Sequence, residues 1–339
     1  MSDEQRLALR RGTVASVESE GAAARVTVEV GGELRPAVSY TGLVGPIAAG
    51  DEVVVNVAAR DLGLGSGGFD VVHVNLTRGL EGGGVCGAHV VKLNYSSLQH
   101  AVVPVEEGAP EELVALGRPV AVIALHGQLP CVAWAAGQSS EARIGYVQAA
   151  GGALPGSLSD VVRELIERGL LAGHVSAGPA FGAPLEAVTV AGALHAGLTS
   201  LGWDAAIVGP GPGIVGSATA LGHGGLAALD AAHAALSLGC RTIVVPRMSS
   251  GDRRPRHRGL SDHSRAVLEL MLRPAIVAVP EGEVPALPGA HEVRAAAAEL
   301  EGYAASGLPV TTMGRAMEED ELFFRAALAG GTVLGEEIR

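Results

Sequence analysis

Lysine is almost absent. Lys92 is the only one in 339 residues, so arginine carries nearly all the basic charge, and acids outnumber bases to leave a formal net charge of -12. A general nucleic-acid binder or a protein held on an anionic membrane needs a basic field, and this chain has none overall. Aromatic residues make up 3%, so any exposed apolar patch has to be aliphatic. The three cysteines, Cys86, Cys131 and Cys240, are odd in number and far apart, which supports neither a disulfide framework nor a zinc spacing and reads as small buried apolar residues. The opening MSDEQRLALRRG lacks an apolar signal core, and no uninterrupted apolar run reaches the roughly 18 to 20 residues of a membrane helix. A cytoplasmic protein is expected. Nucleophile-elbow G-x-S-x-G, zinc-protease H-E-x-x-H and Walker A motifs are all missing.

Glycine is abundant at 49, and apolar residues make up 48%, a mixture suited to buried strands joined by tight turns. The length exceeds what one core usually organises and predicts two domains. From Gly12 to Val74, short β-branched runs of alternating polarity separated by Gly and Pro predict a small all-β barrel or sandwich over residues 1–80. The Gly-rich RGLEGGGVCG that follows marks the expected boundary, with an α/β domain over 81–339 carrying the ligand site. Past Pro119 apolar strands alternate with amphipathic segments, which predicts a doubly wound, mainly parallel sheet. Within it ALHGQLPCVAWAAG reads as a hairpin, while LEAVTVAGALHAGLTSLG and AHEVRAAAAELEGYAASG read as helices.

Ligands of open parallel sheets sit beyond the carboxyl ends of the strands. After the strand AAIV, the run Gly209 to Ser217 offers Gly211, Gly213, Gly216 and Ser217 for close approach of backbone amides to an anion; a tight structural turn is the competing reading. The same glycines match G-x-G-x-x-G, with Arg247 placed to meet a 2′-phosphate, but a dinucleotide helix would then carry Gly222, Gly224 and Gly225 in its interior. The predicted helix starts near Gly224 instead. After the next strand comes a cationic run containing Arg254, Arg256, His257 and Arg258, followed by His263 in a first helical turn. Guanidinium forks suit carboxylate or phosphate, and either histidine could move a proton. No metal is expected from His257, His263, Asp252 and Asp262, whose spacing fits no helical pair. Lys92 could anchor an anion or act as a base if desolvated, and His195 and His233 read as core histidines.

The stretches GPGPGIVGSATALGHGG, RRPRHRGLSDHS, AHVVKLNYSSLQH and DLGLGSGGFDVVHVNL together resemble a bacterial family of unknown function, DUF3866. The resemblance spans nearly the whole chain and lends no activity. Lys92, the GPGIVG turn and the RPRHRG loop are the shared features it implies, while Ser261-Asp262-His263 stands where related chains read two adjacent histidines. The function expected from the residues is an enzyme acting on a phosphorylated or carboxylated small molecule. His263, Lys92 and His257 are the catalytic candidates, and Gly211, Gly213, Gly216, Ser217, Arg254, Arg256 and Arg258 the ligand candidates. A non-catalytic effector-binding or assembly protein and an NAD(P)-dependent oxidoreductase are the alternatives. The cofactor stays unassigned, and a homo-oligomer is compatible with the sequence.

Overall fold

The structure, a computed structural model, describes residues 6–64, 67–139, 141–217 and 219–338. The chain forms two compact units, Met1–Val103 and Pro104–Arg339.

The first unit is built on a closed five-stranded barrel in the order β1-β2-β3-β5-β4. Its elements are β1 (Leu9–Ser19), β2 (Ala23–Val30), β3 (Glu33–Tyr40), the one-turn α1 (Thr41–Val44), β4 (Glu52–Asn56), α2 (Ala58–Asp61) and β5 (Asp70–Asn75). Alternation decides the inside: Val26 and Val28 of β2 and Val53 and Val55 of β4 meet in its core. The buried Asp51 accepts from Ala48 N at 2.9 Å, Asn75 Nδ2 at 2.9 Å and Arg78 Nε at 2.7 Å. Burial pushes its carboxyl up, but these donors outweigh burial and hold it below the usual range. A small antiparallel pair, β6 (Val90–Lys92) and β7 (His100–Val102), follows the barrel.

The second unit is an eight-stranded sheet in the order β11-β10-β9-β12-β8-β13-β16-β17, and every neighbouring pair in it is parallel. Its strands are β8 (Pro119–Ile123), β9 (Ile144–Ala149), β10 (Gly173–Ala177), β11 (Leu185–Ala187), β12 (Ala205–Pro210), β13 (Arg241–Val245), β16 (Ile276–Pro280) and β17 (Glu292–Ala296). The short pair β14 (Met248–Ser249) and β15 (Gly259–Leu260) stands apart from the sheet. The helices are α3 (Leu129–Ser139), α4 (Asp160–Glu167), α5 (Val190–Thr199), α6 (Ala227–Ser237), α7 (Asp262–Leu270), α8 (Leu300–Ala305) and α9 (Glu321–Ile338). In β8, Ala121 and Ile123 face a core shared with α3, α4, α8 and α9, while Val120 and Val122 face one shared with α5 and α6. Strands buried on both faces read as continuous apolar runs for this reason, and the α/β expectation holds.

Three local expectations fail. The segment read as a hairpin forms α3, because Pro130 lies in the first helical turn, where its missing N–H costs nothing. Residues 185–187 pair in parallel with β10, and helix α5 starts only after Thr189, whose hydroxyl accepts the Gly192 N–H at 2.9 Å. The alanine-rich 292–296 is strand β17, because pairing along β16 overrides helical propensity. No described helix is long and apolar enough to cross a membrane.

Three glycines bracket the indole of the fully buried Trp203. A Cβ at Gly145 would stand 2.0 Å from its ring and one at Gly197 2.3 Å; Gly173 lies at its edge. Gly145→Ala is expected to destabilise the second unit by about 1–3 kcal/mol through overpacking. Urea unfolding followed by Trp fluorescence measures it, and an unchanged midpoint would refute the slot.

Candidate functional site

The strand order reverses about β8. From β8 the chain runs outward to β9, β10 and β11, returns to β12 beside β8, and continues on the other side through β13, β16 and β17. The loops leaving β8, β9, β12 and β13 therefore meet at the carboxyl edge, the usual ligand crevice of such sheets. Gln128 ties two of them. Its Oε1 accepts from the amides of Ala124 and Leu125, both at 3.1 Å, and its Nε2 donates to the carbonyls of Val245 at 3.1 Å and Pro246 at 3.3 Å.

The loops after β9 and β12 pack backbone against backbone. Ala153 N donates to Pro212 O at 2.6 Å and Val215 N to Gly151 O at 3.4 Å. A Cβ at Gly224 would lie 1.6 Å from the Gly151 oxygen, one at Gly152 2.4 Å from the Gly211 oxygen, and one at Gly211 2.4 Å from the Ala153 oxygen. Of the sequence candidates, Gly211 is thus buried in this junction, whereas Gly213 (φ +69°), Gly216 and Ser217 are exposed. The turn folds on itself: Gly216 bridges His223, and Ser217 N donates to Gly222 O at 2.6 Å. Helix α6 starts only at Ala227, after a 3-10 turn at Gly224–Leu226. The helix start near Gly224 is confirmed, and the glycine fingerprint lies well upstream of it.

The loop after β13 is organised by Asp252, a buried carboxylate. It accepts from Arg247 Nη2 at 2.6 Å, and from the Nε, Nη2 and backbone N of Arg254 at 2.9 to 3.0 Å. Those Arg254 hydrogen bonds, chiefly, hold the Asp252 carboxyl far below its ordinary range. Arg258 Nε donates to the Asp252 carbonyl at 3.0 Å. Asp320, fully buried, accepts from Ser249 Oγ at 2.8 Å and from Arg315 Nε at 2.9 Å. Arg247 is 3% exposed and its Nε has no partner; burial pushes its guanidinium down to about 10.

Three imidazoles gather against this network. His223 stacks on His263 with ring centroids 3.8 Å apart, and His257 lies 4.9 Å from His263. Gly225 N donates to His223 Nδ1 at 3.0 Å, which makes that nitrogen an acceptor. His257 has both nitrogens engaged: Nε2 accepts from Arg256 Nε at 3.2 Å, so Nδ1 carries the proton and donates to Ser261 Oγ at 2.8 Å. His263, in the first turn of α7, is 4% exposed, and its Nδ1 has no partner. Burial first, and then neighbouring positive charge including Arg247 and Arg254, pushes His223 and His257 down to about 4. The same causes, with Arg256 adding and Asp262 opposing, lower His263.

The structure thus brings together His263, His257, Arg254, Arg256 and Arg258, with the Gly211–Ser217 turn reaching them through His223. Lys92 lies in the first unit, buried on β6. The sequence reading passed over Asp320 and Arg315, which lie some 70 residues from the loop they complete; no local spacing signals them. His195 is buried in α5, as a core histidine would be, whereas His233 is only half-buried on α6, its Nε2 accepting from Leu272 N at 3.2 Å. Cys131 and Cys240 are buried, whereas Cys86 is exposed. Among the described residues no group of three or more His, Cys, Asp or Glu is placed to hold a metal ion.

The profile of the family described as "Protein of unknown function (DUF3866)" matches residues 36–331. The chain, a two-unit protein with a barrel and a doubly wound parallel sheet, belongs to that family. No curated protein matches it. A solved structure described as the crystal structure of YjeQ from Thermotoga maritima is similar in part, at 18% identity over 50% of this chain and 51% of that one, with a TM-score of 0.15. The chain spans about half the length of that structure, and a likeness at this score carries no argument.

Proposed function

We propose that the second unit is an enzyme that binds a small phosphorylated or carboxylated molecule at this carboxyl edge. The observation that carries the reading is the combination of orphaned polar atoms, His263 Nδ1 and Arg247 Nε, with two buried carboxylates, Asp252 and Asp320, ringed by the buried Arg247 and by the more exposed Arg254, Arg258 and Arg315. A buried polar group without a partner costs about 1–3 kcal/mol, and a bound anion supplies the missing acceptor for Arg247. Arg254, Arg256 and Arg258 neutralise that anion, the Gly211–Ser217 turn walls it, and the first-turn amides of α7 add their dipole. His263 is the proton carrier, because His257 already spends both nitrogens. His257 acts by positioning Arg256 and Ser261.

A substrate anion cancels the positive charge that depresses these rings, so binding raises their affinity for protons. Below neutral pH, binding is expected to take up protons. Titration calorimetry with inorganic phosphate and dicarboxylates at pH 6, in buffers of different ionisation enthalpy, reads that uptake. Arg256→Ala is expected to weaken binding at least tenfold, a loss of about 1.4 kcal/mol. His263→Gln is expected to keep binding and lose turnover by about 100-fold or more. Absence of a melting shift with every phosphorylated and carboxylated compound tried would refute the anion site. Binding with no change for any compound under assay, and none from His263→Gln, would favour an effector-binding protein.

A further inference from the structure

The two edges of the parallel sheet are finished differently. Beside β11, Pro104 forms a parallel bridge with Glu186, so that edge is partly covered. Beyond β17, among the described residues, no strand pairs. Glu292 N donates to Ala275 O at 3.0 Å, and Ala296 O accepts from Glu281 N at 3.0 Å, which turns the main-chain groups of these two residues toward β16. A strand residue's N–H and C=O point to the same side, and the side alternates along the chain. Those of Val293 and Ala295 therefore point away from β16. An open row of this kind is a template for another strand.

The side chains select which strand. Val293 stands in register with the fully buried Val277, which packs with Leu268 of α7, yet Val293 itself is 54% exposed and Ala295 is exposed beside it. On the other face Glu292 is exposed, and Arg294 Nη2 donates to its Oε1 at 2.6 Å. Arg294 also pairs with Glu337 of α9. The strand thus presents an acid, a valine and a base in succession.

In an antiparallel pair with its two-fold axis at Val293, Glu292 of each copy faces Arg294 of the other, and valine meets valine. An axis at Glu292 or at Arg294 would set like charges opposite each other, which destabilises the pair. An axis at Ala295 would set Arg294 against Ala296 and form no ion pair. The backbone agrees with the first choice, because two residues with outward N–H and C=O, placed opposite, exchange both hydrogen bonds.

We propose that the protein self-associates through β17, a second copy adding its own β17 antiparallel so that the two sheets run into one. The matched surfaces are the same patch on both copies, so the assembly closes at a dimer. Nothing in this pairing draws on the anion site.

Sedimentation equilibrium of the full chain over a dilution series tests it. Wild type is expected to reach the mass of a dimer. Val293→Pro removes only an outward N–H, a substitution that edge strands accept, so it is expected to keep the circular dichroism of wild type and to remain a monomer. Glu292→Arg and Arg294→Glu each set like charges opposite on both sides of the axis, and each is expected to weaken self-association at least tenfold. Mixing these two variants sets two arginines against two glutamates and is expected to yield a heterodimer, identified by native mass. A wild type that is monomeric at every concentration overturns the proposal. So does a dimer that survives Val293→Pro or either charge reversal alone, or a mixture with no more dimer than its parts.

Discussion

Replacing Asp252 by alanine is expected to destabilise the second unit by about 3–5 kcal/mol, the cost of stranding a buried charge after its partner is removed. Arg247 is 3% exposed and has Asp252 as its carboxylate partner at 2.6 Å. Loss of the same carboxylate frees Arg254 and opens the turn that sets His257 and Arg256. The exposed Asp262, ten residues on, lies in the first turn of α7. Its replacement by alanine is expected to cost no more than about 1 kcal/mol. Urea unfolding of both variants separates the two cases. Phosphate at high concentration should restore part of the lost midpoint in Asp252→Ala, since an anion bound beside Arg247 stands in for the carboxylate. Equal, small losses in both variants would mean that Arg247 does not depend on Asp252.

Acid should unfold the protein well before its carboxylates protonate. Burial, with His126 adding, pushes His174 down to about 3, and burial pushes His126, His223 and His257 down to about 4. In the unfolded chain each titrates near 6.5. Between those values the unfolded chain takes up protons that the folded one refuses, so stability is complete above about pH 6.5 and falls as the pH drops toward 4. For the two least exposed rings, His174 and His257, the loss by pH 4 is on the order of 3 kcal/mol each. Melting curves from pH 7.5 to 4.5 measure it. His174→Asn should flatten the lower part of the profile, and a midpoint that stays level from pH 7 to 5 would refute the buried neutral rings.

Much of this architecture is legible in the residues. Val26 and Val28 alternate with polar neighbours, and PVAVI does not. That difference separates a barrel wall with one buried face from a parallel strand with two. The cationic loop and His263 were also visible, because their residues are adjacent in the chain and a cluster within a dozen residues stays a cluster after folding. The misread segments share a different cause. AHEVRAAAAEL has the composition of a helix, and only the neighbouring β16 makes its first half a strand. Leu129–Ser139 contains Gly and Pro that mark a turn in isolation, and only docking against α9 and β12 keeps it helical.

The chain alone determined the two-part division into an all-β and an α/β section, the parallel sheet, and the concentration of arginine and histidine beyond β13, since these follow from local periodicity and composition. Tertiary structure alone decided which polar groups are spent and which are left over. Asp320 reaches Ser249 across the unit, and His223 arrives on His263 from another loop. Hydrogen-bond satisfaction and burial are properties of that assembly of distant segments, and they carry the chemistry proposed for this protein.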